Sequence, residues 1–148
     1  MTRIPTNPAH HGTPRTSKKT RAQKRAIQDW RDDFVRLVGQ CEHCNRNYSL
    51  ACHEISRGVN RQASLTVPAC ILVLCNASHG TRPSCHTVVG GWPKEKQMAL
   101  LYLRRPGDYD LERYYEIVKQ RSFSQADVDG WIRKLLEPLA GRSPAAGA

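Results

Sequence analysis

Four cysteines in two pairs constrain this chain more than any other feature. The first pair opens as Cys41-Glu-His-Cys44; the second, Cys75 and Cys85, arrives after a long intervening stretch. Two close thiols followed by two distant ones form the pattern of a tetrahedral zinc site stapling a small fold. The other use of six cysteines is a disulfide framework. Residues 1–25 hold no apolar core of a secretory signal, so the expected setting is the reducing cytoplasm, where Cys-x-x-Cys reads as metal binding. Cys52 and Cys70 lie in apolar runs and read as small buried hydrophobes.

Length and composition support a staple. A chain of 148 residues predicts one domain plus tails. Only 39% of residues are hydrophobic, so the core is small and gains from a metal. No apolar run approaches the length of a membrane span. Lys and Arg number 23 against 13 Asp and Glu, a net charge of +10. That balance favours a polyanionic partner, nucleic acid first; the plainer alternative is basic tails that aid solubility.

Along the chain, residues 1–19 are rich in Pro, Ser and Thr and read as a disordered basic arm. No acidic residue occurs between Met1 and Gln28, while Lys18, Lys19, Arg21, Lys24 and Arg25 cluster, a pattern able to neutralise phosphates without sequence choice. Residues 20–40 predict an amphipathic helix with Ile27, Trp30, Phe34, Leu37 and Val38 on one stripe and Gly39 as its stop. Trp30 and Phe34 read as core rather than as a base-stacking platform. Tyr48 to Ile55 predicts a strand, and residues 56–67 a loop carrying Arg57, Gly58, Asn60 and Arg61. Pro68 to Leu74 is a short apolar run that periodicity leaves open between strand and buried helix. His79 to Gly91 reads as irregular because of Gly80, Pro83, Gly90 and Gly91.

Three helices are expected after that. Pro93 starts one over Lys94 to Arg104, with Met98, Leu101 and Tyr102 inward. Asp108 or Asp110 caps a second reaching Gln120. Ser124-Gln-Ala-Asp127 opens a third to Leu136, stopped by Pro138 and Gly141. Residues 121–140 thus form a C-terminal helical unit and 141–148 a flexible tail.

The histidines suggest chemistry. His53 lies near the end of the predicted strand, directly before Glu54, and His86 directly follows Cys85. An imidazole beside a metal-anchored thiol is held rigidly, as a catalytic group must be. Rival motifs fail: Arg57 stands where a zincin needs its second His, Pro83-Ser-Cys-His departs from the deaminase signature, and no phosphate-binding glycine loop is present.

The order Cys-x-x-Cys, then His53-Glu-Ile-Ser-Arg-Gly58, then Leu74-Cys75, then Cys85-His86, then Trp92-Pro-Lys-Glu-Lys-Gln97 resembles the HNH endonucleases, particularly small phage-type members. The resemblance covers Cys41 to Val118 and implies an α+β fold. It would be a ββα-metal core over residues 41–120, braced by a four-cysteine zinc site and flanked by the N-terminal and C-terminal helices. It implies that His53 is the general base and that His86 binds one catalytic divalent ion, Mg or Mn. Arg57 and Arg61 would hold phosphates of DNA, and the products would carry a 5′ phosphate and a 3′ hydroxyl. Cys52 stands where the family places a second metal ligand. Sliding the register by one makes His53 that ligand and Glu54 the base. The family's central Asn falls at Cys70, with Asn60 as a stand-in. The closing motif has two readings: an inserted loop with Cys85 as fourth thiol, which keeps four cysteines, or His79 as ligand. A phage packaging or host-defence setting, in the host cytoplasm if phage-encoded, is implied by the resemblance alone. The alternative is a zinc-ribbon-like DNA-binding protein without catalysis, and beyond it a zinc-stabilised interaction module.

Overall fold

The computed structural model describes residues 19–56 and 61–140, which combine helices with one small antiparallel sheet. The expected arm over most of 1–19 and the tail at 141–148 lie outside the described residues, as do Lys18, Arg57 and Asn60.

Helix α1 spans Arg21–Val38. Thr20 caps it by accepting from the Gln23 amide while the Gln23 side chain returns a bond to the Thr20 amide, a full capping box. Gly39 ends it at φ 76°, a left-handed turn that glycine adopts without strain. Phe34 is buried and Trp30 stacks on it at 5.1 Å. Leu37, expected on the apolar stripe, is instead 82% exposed. It sits one step round the helix from the row that faces the sheet.

Strands β1 (Leu50–Glu54) and β2 (Ile71–Cys75) pair antiparallel, Leu50 opposite Cys75 and Glu54 opposite Ile71. The connection carries a one-turn helix α2 (Arg61–Ser64) and a 3₁₀ turn (Pro68–Cys70), within a stretch read as loop and undecided run. All five β2 residues are buried because helices cover both faces. Ile71 and Val73 meet Cys52 and Phe34 under α1; Leu72 and Leu74 join the main core with Met98, Leu101 and Tyr114. Strand alternation divides the two sets. The outer edge of β2 is closed by Glu42, whose backbone N–H donates to Val73 O (2.8 Å) and whose carboxylate accepts from Val73 N (2.9 Å).

Helix α3 (Cys85–Gly90) corrects the expectation of irregular chain there. Ser84 caps it by accepting from Thr87 N, and the paired glycines end it rather than prevent it. Helices α4 (Lys94–Arg104), α5 (Leu111–Val118) and α6 (Gln125–Ala140) follow. Asp110, not Asp108, caps α5. Tyr102 is exposed, not inward. Helix α6 runs past Pro138, since a proline in the final turn forfeits a single ladder bond. It docks on α4, where the Lys96 ammonium lies between the Trp92 and Trp131 rings at 4.0 and 4.8 Å.

Candidate functional site

The first thiol pair sits on a tight knuckle between α1 and β1. Cys41 N donates to Arg46 O, Asn45 N donates to Cys41 O, and Asn45 takes a left-handed φ of 69°, which Asn tolerates. Glu42 fixes this knuckle to the sheet. Its carboxylate is almost wholly buried and is paired with Arg105. Arg105 also reaches Asp108 (2.7 Å) and the Pro68 and Ile71 carbonyls. Neither partner stood out in the sequence; a charged residue inside a Cys-x-x-Cys pair was the available signal.

Cys75 closes β2 and Cys85 opens α3, and the fold brings both to the knuckle. The sulfurs of Cys41, Cys44, Cys75 and Cys85 lie within 4.8 Å of one another, with Cys44 and Cys75 at 3.8 Å. Zinc–sulfur bonds of about 2.3 Å in a tetrahedron require sulfurs about 3.8 Å apart. The donor set therefore suits a metal ion such as zinc. Without a cation, burial and the neighbouring thiols Cys75 and Cys44 push the Cys85 thiol far up. Burial acts the same way on Cys41, but the backbone N–H groups of Cys44, Cys75 and His43 together bring it below its ordinary value.

Two histidines flank the sulfurs. His79 Nε2 is 3.1 Å from Cys75 Sγ and 3.7 Å from Cys85 Sγ, while its Nδ1 is 2.7 Å from the Arg46 guanidinium. A guanidinium only donates. Nδ1 therefore accepts, the ring proton sits on Nε2, and it points at the thiols. A ring ligating through Nε2 would carry its proton on Nδ1, against Arg46, so this placement makes His79 a donor to sulfur. His43 Nδ1 lies 3.2 Å from Cys85 Sγ. Burial, then the charge of Lys96, lowers its pKa.

The second cluster lies in an open cleft of about 600 Å³ lined by Arg31, His53, Glu54, Arg61 and His86 among others. His53 projects from β1 toward α3 and α4 and is 6% exposed. The second residue of α3 is His86, and the two rings meet edge-to-face with centroids 4.9 Å apart. Two imidazoles so placed can pass a proton or share a loosely held cation. His53 Nε2 also lies 2.8 Å from Gln97 Oε1.

Alternation turns the neighbours of His53 toward the α1 side of β1, although Cys52 and Glu54 both still reach the cleft wall. Cys52 is buried against Phe34, Ile71 and Val73, with its thiol pushed up by burial. Glu54 is held by Arg31 at 2.9 Å and Arg61 at 3.4 Å. Arg31 also donates to Leu65 O and Cys52 O, tying α1 to the hairpin and its connection. It escaped the sequence reading, although Ile27, Arg31, Phe34 and Val38 make a helical row with one charge in it. Cys70 is fully buried among apolar groups, its pKa raised to about 12 by burial. Of the basic residues, Arg21, Lys24 and Arg25 are exposed on α1, and Lys19 reaches Gln62 at 3.2 Å. Among the described residues the four cysteines are the one group of three or more metal-binding side chains. No helix there is long and apolar enough to cross a membrane.

No family model, curated protein or solved structure matches the chain.

Proposed function

We propose that this chain is a metal-dependent HNH-type endonuclease that hydrolyses phosphodiester bonds of DNA. The observation that carries the reading is the meeting of His53, from the first strand of a hairpin, with His86, from the start of the following helix. Strand, strand and helix in that order, with a thiol cluster beside them, are what a ββα-metal core braced by zinc requires.

In this reading His53 takes a proton from the water that attacks phosphorus, work suited to an imidazole near neutral pH. Arg61, half exposed at the cleft, meets a phosphate oxygen, and Arg31 keeps Glu54 from repelling the backbone. His86 would hold a divalent ion, Mg or Mn, and its nitrogen donor favours Mn. When bound, that ion stabilises charge on the phosphoryl group and on the departing 3′ oxygen. The +10 charge and the exposed cations of α1 add attraction for the polyanion. A phage-encoded protein working in a host cytoplasm accords with the resemblance.

A second reading, a DNA-binding protein without catalysis, has one observation in its favour. Cys52 packs against Phe34, Ile71 and Val73, so the usual ligand position beside the base offers the cleft wall a mostly buried thiol and no carboxylate or imidazole. Supercoiled plasmid incubated with the zinc-loaded chain decides between them. Nicking that needs added Mn or Mg, and falls by about 100-fold or more in folded His53→Ala and His86→Ala, supports the nuclease. Salt-sensitive binding without nicking by the wild type supports the second reading.

A further inference from the structure

Gln97 is a polar residue in an otherwise apolar stretch of α4, 3% exposed. Its amide makes two bonds. Nε2 donates to Trp92 O at 3.0 Å, and Oε1 lies 2.8 Å from His53 Nε2. The opposite orientation of the amide would set Oε1 against the Trp92 carbonyl, two acceptors face to face. The orientation is thus fixed by Trp92, and Oε1 can only accept from His53. Consequently His53 donates through Nε2–H, and its neutral form carries the lone pair on Nδ1.

Trp92 is itself placed by α3, since its backbone N–H donates to Val89 O at 3.0 Å. A chain of bonds therefore runs from the end of the helix bearing His86, through Trp92 and Gln97, to the imidazole on β1. We propose that Gln97 is a positioning residue that holds His53 in the Nε2–H tautomer, leaving Nδ1 as the atom that receives the proton of the attacking water. This rests on the nuclease reading above. A neutral imidazole in the other tautomer has no lone pair on that atom, and a general base in the wrong tautomer does not act. Gln97 never touches the reacting groups; it acts through His53.

Long-range proton–nitrogen correlation spectra of the ¹⁵N-labelled, zinc-loaded full chain test this directly. They are recorded at about pH 8, where an ordinary imidazole is neutral. The expected wild-type result is a His53 ring protonated at Nε2 and unprotonated at Nδ1. In Gln97→Leu the Nδ1–H form should become populated, while the His79 ring, fixed by Arg46, keeps its signature as an internal standard. Gln97→Met, unbranched and equally unable to accept, serves if the leucine disturbs folding or zinc content. In single-turnover cleavage the variant should lose about tenfold or more in rate, with DNA affinity within about twofold. A wild-type His53 protonated on Nδ1, or a tautomer unchanged in the folded variants, overturns the proposal even if plasmid is cut. Absent cleavage by a wild type with the expected tautomer overturns the nuclease reading instead.

Discussion

Glu54 adjoins His53 in the chain and lines the same cleft, yet its carboxylate is held between Arg31 and Arg61. That position suits an electrostatic anchor better than a base. Glu54→Gln leaves the largely buried Arg31 without its counter-charge and should cost about 2–3 kcal/mol, a little below the loss for a fully buried pair. Urea denaturation reads the loss, and nicking by the surviving folded fraction should stay within about threefold of wild type. A Glu54→Gln protein as stable as wild type but without cleavage would give the base role to Glu54. Tyr114 makes the opposite case. Its ring is buried, and its hydroxyl has no partner among the described residues. Tyr114→Phe removes an unpaired polar atom, so stability should be unchanged or rise by up to about 1 kcal/mol; a clear loss would reveal a partner for the hydroxyl. At this scale the sequence disclosed the thiols, His53 and His86, because metal-binding spacing and strand position are local. It hid Arg31, Glu42, Arg105 and Gln97, whose partners lie far along the chain.

Among the elements, α1, β1 and α4 were legible because their apolar patterns are local, and in α1 Gly39 marks the stop. Helix α3 was not, being six residues long with glycines at its end. Its formation rests on two local supports, the Ser84 cap and the neighbouring Cys85 in the thiol cluster. A helix so short is marginal alone, so Ser84→Ala should lower stability by about 1 kcal/mol with zinc present. Without zinc the same change should have a larger effect on amide exchange at Val88 and Val89, because one of the two supports is already gone. Equal exchange in both states would mean that packing against β2 alone holds α3.

For the molecule as a whole, the thiol cluster is where three separate pieces of chain meet: the knuckle after α1, the end of β2 and the start of α3. Two of these pieces adjoin the cleft: β2 pairs with the strand that carries His53, and α3 carries His86. A metal that binds only the folded arrangement contributes its binding free energy to folding. Stripping it leaves four clustered thiols, and Cys85, pushed up by burial and by its neighbours, takes a proton. The knuckle would then lose its tie to α3, while the Gln97–Trp92 path and the packing of α3 on β2 would still connect the two histidines. The expected outcome of exhaustive chelation at neutral pH is release of one zinc per chain, a clearly lower melting temperature and loss of plasmid nicking. Mn or Mg alone should fail to restore nicking, and zinc followed by Mn should restore it. A chromogenic zinc indicator, a thermal melt and the plasmid assay on one sample read all three. Recovery of full nicking by Mn in a chain still free of zinc would separate the thiol cluster from the cleft. The brace would then lie in the Glu42–Arg105 network and the packing of α1 and α4 on the two faces of the hairpin.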